Sequence, residues 1–182
     1  EKYHENNANI NLNEINIRFE HELVISDIKC QIAVIKLARL GRVCFRAVKS
    51  KRDYVKSKSH YNWLYLSRLS ATNEFKFLKG LYVAGFPVPK PYDHNRPAIL
   101  MQYIPSYPLC RVEEIVDKEK AYNELISILV KITERGLIHG DFNEFNILVD
   151  KDQKMYIIDF PQMISLEHDD AKFYFERDVK CI

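Results

Sequence analysis

Between His139 and Phe160 the sequence sets out a spacing that few folds can use. His139-Gly140-Asp141-Phe142-Asn143-Glu144-Phe145-Asn146 reads His-x-Asp-x-x-x-x-Asn. An apolar run at Ile147 to Val149 follows, then a turn at Asp150 to Lys154, a second apolar run at Met155 to Ile158, and Asp159-Phe160. A single Asp or Asn in a loop is ordinarily a turn former, because its short side chain bonds nearby backbone. Chance seldom assembles the whole compound pattern of loop, strand, turn, strand and second acid. Phosphoryl transfer needs each of these residue types. The transferred group receives little covalent help from protein, so positioning and charge neutralisation carry the reaction. Asp141, in a polar loop between two apolar elements, suits the hydroxyl or water that attacks. The Asn146 amide oxygen and the Asp159 carboxylate are hard ligands for metal ions that bridge phosphates. His139 is read as bracing the loop backbone.

A second constellation lies upstream. Lys36 ends the run Ala33-Val34-Ile35-Lys36. A lysine on an otherwise apolar strand can direct its ammonium into a cleft and grip phosphate oxygens. Alone it would read as a lysine snorkelling from a strand end; the downstream loop favours the phosphate role. Glu74, on the next helix, is the carboxylate expected to hold it. Ala98 to Ile104 then becomes the strand leading into a connection between lobes. On that reading Met101 flanks an adenine pocket and the backbone of Gln102 and Ile104 meets the base edge, with core packing an equal alternative for Met101.

The rest of the chain is consistent with this division. Residues 1–16 are rich in asparagine and have little to bury. His21 to Ser26 and Gln31 to Leu37 read as short strands. Asn62 to Tyr82 has helical periodicity through Leu66, Leu69, Phe75, Leu78 and Leu81, with Ser70 as a break or N-cap inside it and Gly80 and Gly85 helping to end it. Pro87, Pro89 and Pro91 impose an extended path. Lys118 to Arg135 predicts an amphipathic helix with Tyr122, Leu125, Ile128, Leu129 and Ile132 on its apolar face, closed by Gly136. Strands early and helices late predict an α+β protein, with a small β-rich lobe followed by a mainly helical one.

Composition excludes several classes. A chain of 182 residues with 47% hydrophobic and 29% charged residues is ordinary globular material. No apolar run approaches the roughly 18 to 20 residues of a membrane span, and no signal peptide opens the chain, so no membrane partner is expected. Cys30, Cys44, Cys110 and Cys181 lie far apart and read as free thiols, which points to a soluble intracellular protein. From Arg39 to Lys58 eight basic residues stand against one acid, Asp53. Such a block is either a solvated loop or a landing strip for RNA or nucleotide phosphates, and composition does not separate the two.

The longer motifs resemble a known family. Gly136-Leu-Ile-His-Gly-Asp-Phe-Asn-Glu-Phe-Asn146 and Ile158-Asp-Phe-Pro-Gln-Met163 look like the RIO family of atypical protein kinases, its second branch in particular. The same holds for Leu40-Gly-Arg-Val-Cys-Phe-Arg46, Trp63-Leu-Tyr-Leu-Ser-Arg-Leu-Ser70, Phe86-Pro-Val-Pro-Lys-Pro91 and Arg177-Asp-Val-Lys-Cys-Ile182. The resemblance covers residues 26–182. It implies a trimmed, bilobal protein-kinase-like fold, with an N-lobe and hinge over 26–104 and a C-lobe, truncated at its end, over 105–182. Residues 1–25 would be a leader or the remnant of a winged-helix domain. It also implies ATP and Mg2+, serine kinase or ATPase activity, and late maturation of the small ribosomal subunit. The partners would be the pre-40S particle or ribosomal RNA and a protein substrate, in the cytoplasm and also the nucleus. By this analogy Asp141 is the catalytic aspartate, Asn146 and Asp159 bind metal, Lys36 binds phosphate, Ser26 contacts nucleotide, and Asp159 can itself accept phosphate. Arg46, Lys49, Lys51 and Arg52 become the RNA contacts.

Three departures qualify the analogy. The family's glycine-rich phosphate loop should precede Ser26-Asp27-Ile28, yet the chain's five glycines are Gly41, Gly80, Gly85, Gly136 and Gly140. We expect loop residues to be missing from the sequence as it stands; an intact mass of 21.5 kDa would contradict that. Pro161 stands where ordinary kinases have the glycine of Asp-Phe-Gly, removing a flexible hinge. Asn143 stands where they have a lysine, and both changes point to a stiffer site. The alternatives are a nucleotide- or RNA-binding pseudoenzyme that serves in assembly, and an aminoglycoside-type small-molecule phosphotransferase. Asp159-Phe-Pro-Gln-Met163 and the basic stretch disfavour the second of these.

Overall fold

The computed structural model describes residues 32–38, 63–95 and 97–182, and the described residues from 33 onward belong to one compact unit. Its first strand, β1 (Ala33–Leu37), shows the period of two that a half-buried strand needs. Ile35 and Leu37 are exposed, whereas Val34 and Lys36 share the inner face and line a cavity. The strand begins two residues later than the sequence predicts; the predicted strand at His21 to Ser26 and the boundary at residue 25 lie outside the described residues.

Helix α1 (Trp63–Val83) runs unbroken through Ser70, which corrects the expected break there. The reason is burial. Ser67, Ser70, Ala71, Glu74, Leu78 and Leu81 recur at three- and four-residue steps, and all are buried. Small side chains let this face sit close to its neighbours, and the Ser67 hydroxyl donates to the Ala38 carbonyl at 2.9 Å, tying the helix to the end of β1. Gly80 lies inside the helix. Gly85 ends it with φ +80°: the N–H of Phe86 donates to Leu81 O and that of Gly85 to Tyr82 O, the paired bonds of a Schellman turn.

The three prolines then lead into β2 (Pro91–Asn95), where Pro91 opens the strand, a position that requires no donor. Strand β3 (Ala98–Gln102) is shorter than predicted and central in the order β1-β3-β2. Its antiparallel register sets Met101 opposite Val34 and Ile99 opposite Lys36.

Beyond this sheet come β4 (Ser106–Pro108) and a 3-10 turn at Leu109–Arg111. Helix α2 (Lys118–Glu134) follows, with the Asp117 carboxylate accepting from Lys120 N–H as its N-cap. Leu125, Ile128, Leu129 and Ile132 are buried, as the periodicity predicts, but Tyr122, placed on the same face by the sequence, is half exposed, and the neighbouring Ala121 packs on the core in its stead. Gly136, at φ +79°, carries the chain off the helix. It leads into β5 (Leu137–Ile138), then the hairpin β6 (Ile147–Asp150) and β7 (Met155–Ile157), then β8 (Ile164–Ser165) and α3 (Ala171–Lys180). Asp150 closes the hairpin by accepting from the N–H groups of Asp152 and Lys154. Ile147, Val149, Met155 and Ile157 face the core, which they share with α2 and the inner face of α1. Among the described residues no helix is long and apolar enough to cross a membrane.

Candidate active site

A cavity of about 390 Å³ opens where the inner face of β1 and β3 looks across to the β6–β7 hairpin. Val34, Ile99, Met101, Leu148 and Ile158 make its walls apolar, and Gln102 to Ile104 form one rim. Met101 both lines the cavity and packs on the core, so its two sequence readings are compatible. The Gln102 N–H donates to Lys90 O at 2.8 Å, so that donor is spent within the fold.

The cavity's polar end gathers residues from four distant segments. Lys36 Nζ donates to Glu74 Oε1 and also to Asp159 Oδ1. Burial alone would lower the lysine's pKa, but the two carboxylates outweigh it and hold the ammonium above its ordinary range. Burial pushes the Glu74 carboxyl up while Lys36 pulls against it. Asp159 has φ +71°, a left-handed conformation uncommon for residues other than glycine, so the turn into Phe160-Pro161 bends sharply at the acid itself.

Asn146 lines the same cavity. Its Nδ2 donates to the Asp141 carbonyl at 2.9 Å and to Asp141 Oδ2 at 3.2 Å, which leaves Oδ1 as the amide's acceptor. The Asp141 carboxylate also receives Asn143 Nδ2 on Oδ1 at 3.1 Å and Gln162 Nε2 on Oδ2 at 3.0 Å. Burial and the nearby charge of Asp159 raise its pKa; Arg177 and the amide donors work in the other direction. His139 is fully buried between Phe142 and Phe160, and its Nδ1 accepts the Asp141 N–H at 3.3 Å, a backbone brace as read from the sequence. Burial lowers its pKa to about 4, so the ring is neutral.

Three residues had no role assigned from the sequence: Gln162, on the Asp141 carboxylate, and Arg177 and Asp178 on α3. Asp178, on α3 and 1% exposed, accepts the N–H groups of Gly140 at 2.7 Å and Phe142 at 3.0 Å, and Arg177 Nη2 donates to Gly140 O. Together they hold the loop that carries Asp141. The signal was an acid on the stripe Ala171, Tyr174, Asp178, at core spacing on a short helix. Ser26, Arg46, Lys49, Lys51 and Arg52 lie outside the described residues.

Among the described residues no group of three or more His, Cys, Asp or Glu side chains could hold a metal ion by itself. Asp159 and Asn146 are two hard oxygen donors beside a cationic lysine. That set suits an ion which keeps waters and takes phosphate oxygens as its other ligands, as Mg2+ does, and does not suit a closed structural cage.

A family model for the RIO domain matches residues 23–182. Serine/threonine-protein kinase rio2 of Schizosaccharomyces pombe is 49% identical over 171 residues, covering 93% of this chain and 50% of that protein. Serine/threonine-protein kinase RIO2 of Saccharomyces cerevisiae is 43% identical over 165 residues, covering 87% of this chain and 39% of that protein. Among solved structures, the Rio2 kinase–ADP/Mg2+-phosphoaspartate complex from Chaetomium thermophilum is similar at a TM-score of 0.70 and 45% identity, covering 85% of this chain and 48% of that chain. The chain thus spans about half the length of the fission-yeast relative, and less of the budding-yeast one.

Proposed function

The chain belongs to the RIO domain family, and from that premise we propose that it is the catalytic body of an ATP-dependent serine/threonine phosphotransferase that uses Mg2+. Its fold is the trimmed, bilobal kinase-like α+β architecture of the Rio2 structures. The observation that carries the functional reading is the convergence of Lys36, Glu74, Asp159 and Asn146, with Asp141 bonded behind Asn146, at the polar end of one apolar cavity.

Each residue has a physical task on this reading. Val34, Met101 and Leu148 offer apolar surface to a flat base. Lys36, held by Glu74, presents a fixed ammonium to phosphate oxygens, and Asp159 and Asn146 would hold the metal. Magnesium, when bound, neutralises charge on the phosphates. Asp141 orients the acceptor and takes its proton as the acceptor oxygen bonds the γ-phosphorus and the bond to the ADP oxygen breaks. The Chaetomium neighbour is described as a phosphoaspartate complex. We carry that to this chain with Asp159 as the acceptor: a carboxylate brings no proton, so the proton-accepting role of Asp141 falls on the water that later hydrolyses the acyl phosphate.

We further propose action in late maturation of the small ribosomal subunit, on the pre-40S particle or its RNA, in the cytoplasm and also the nucleus. The density of positive charge from Arg39 to Lys58, against one acid, supports it. Incubation with γ-labelled ATP and Mg2+ tests the chemistry. Released phosphate and hydroxylamine-labile label on the protein are expected, the label absent from Asp159→Asn; nucleotide that neither binds nor turns over would refute the reading. For the partner, neutralising Arg46, Lys49, Lys51 and Arg52 should reduce the salt slope of RNA binding by up to about 3, and an unchanged slope would remove that support.

A further inference from the structure

The three amide donors on the Asp141 carboxylate are unevenly spread. Among the described residues Oδ1 accepts from Asn143 alone, whereas Oδ2 accepts from both Asn146 and Gln162. Each carboxylate oxygen has about two acceptor positions. Oδ2 is therefore filled, and Oδ1 keeps one position open. The shortest of the three bonds, 3.0 Å, comes from Gln162, which lies three residues beyond Asp159 on the other side of Pro161. The same two segments also touch through their backbones: a Cβ on Gly140 would stand 2.5 Å from Gln162 O, and Gly140 has φ +77°. Gln162 thus joins the loop of the acceptor-facing acid to the loop of the metal-facing acid, once by backbone contact and once by a side-chain bond.

We propose that Gln162 is a positioning residue for phosphoryl transfer, closing Oδ2 of Asp141 so that Oδ1 alone meets the acceptor. The proposal rests on the phosphotransferase reading above. Without the Gln162 donor, Oδ2 has an open position too, and the carboxylate can turn about its χ2 bond. The acceptor oxygen then has several places to sit, and the fraction of complexes aligned for attack falls. Gln162 does not line the cavity. Its loss therefore falls on turnover and leaves nucleotide affinity unchanged.

Gln162→Met and Gln162→Glu keep the length of the side chain, so they separate the donor from the packing. Methionine removes the N–H, and glutamate replaces it with an oxygen that repels Asp141. In steady-state ATP turnover by the intact protein we expect kcat to fall about tenfold for Gln162→Met and further for Gln162→Glu, with KM for ATP within about twofold of the parent. A second readout needs no nucleotide: the side-chain amide protons of Gln162 in a 1H–15N spectrum should move when Asp141 is replaced by Ala. Parental kcat in Gln162→Met, a rise in KM that accounts for the loss, or amide signals indifferent to Asp141→Ala would each overturn the proposal. Asp141→Asn keeps this failure distinct from failure of the parent reading. If that variant is inactive while Gln162→Met is fully active, only the role of Gln162 falls; if the parent protein itself neither binds nor turns over ATP, the phosphotransferase reading falls and the role of Gln162 with it.

Discussion

His139 is neutral because burial costs the charged ring more than the Asp159 carboxylate and the Ile158 backbone return. With a pKa of about 4 in the folded protein against an ordinary 6.5, it binds fewer protons folded than unfolded across that interval. Its contribution to stability is therefore complete above pH 6.5 and is lost as the pH falls toward 4. The carboxyls of Glu74, Asp141 and Asp178 are raised by burial and act with the opposite sign, so their contribution is present at low pH and lost as the pH rises. His139→Phe keeps an aromatic ring between Phe142 and Phe160 and removes the titrating group, together with the acceptor of the Asp141 N–H, whose loss weighs equally at both pH values compared. In urea unfolding the parent should lose about 2 kcal/mol more than His139→Phe between pH 7 and pH 5; equal losses would show that His139 is not the group responsible. At this scale the spacing of Asp141, Asn146 and Asp159 marked residues that the structure brings together at one end of the cavity. Gln162 and Asp178 carried no such mark, because each acts through a partner 21 or 38 residues away, and no local pattern announces such a bond.

Among the elements, α1 shows what periodicity states and what it hides. Its buried stripe contains Ser67, Ser70 and Glu74 among the apolar residues. A reading that counts apolar residues takes the serine for a break. The structure uses it as a small residue at a close approach, and keeps Glu74 in the stripe because Lys36 meets it there. Its two glycines divide for a related reason. Gly80 sits in helical backbone with nothing within 4 Å of a Cβ, whereas Gly85 has the same open space but φ +80°. Gly80→Ala should therefore stabilise the protein by about 0.5–1 kcal/mol, and Gly85→Ala should destabilise it by about 1 kcal/mol, in denaturant unfolding. The same sign for both would mean that the helix does not end where the Schellman bonds place its end.

In the molecule as a whole, order in the chain and order in space differ most at the active site. Lys36 and Asp159 are 123 residues apart and share a hydrogen bond. The antiparallel pairing of β1 with β3 and the turn after β7 bring them together, and the apolar faces of both sheets are what make those pairings stable. Alternation of side chains predicts which face of β1 carries Lys36, but the pairing that brings that face to the cavity is long-range and had to be seen. On the proposed reading one cavity binds the nucleotide, and Asp141 acts on the acceptor without holding the nucleotide. The most direct test measures Mg-ATP affinity and phosphate release on the same preparation of Asp141→Ala. Asp141→Ala should bind Mg-ATP within about threefold of the parent affinity and release phosphate roughly a hundredfold or more slowly. Release at the parental rate, or loss of affinity in step with release, would contradict that reading.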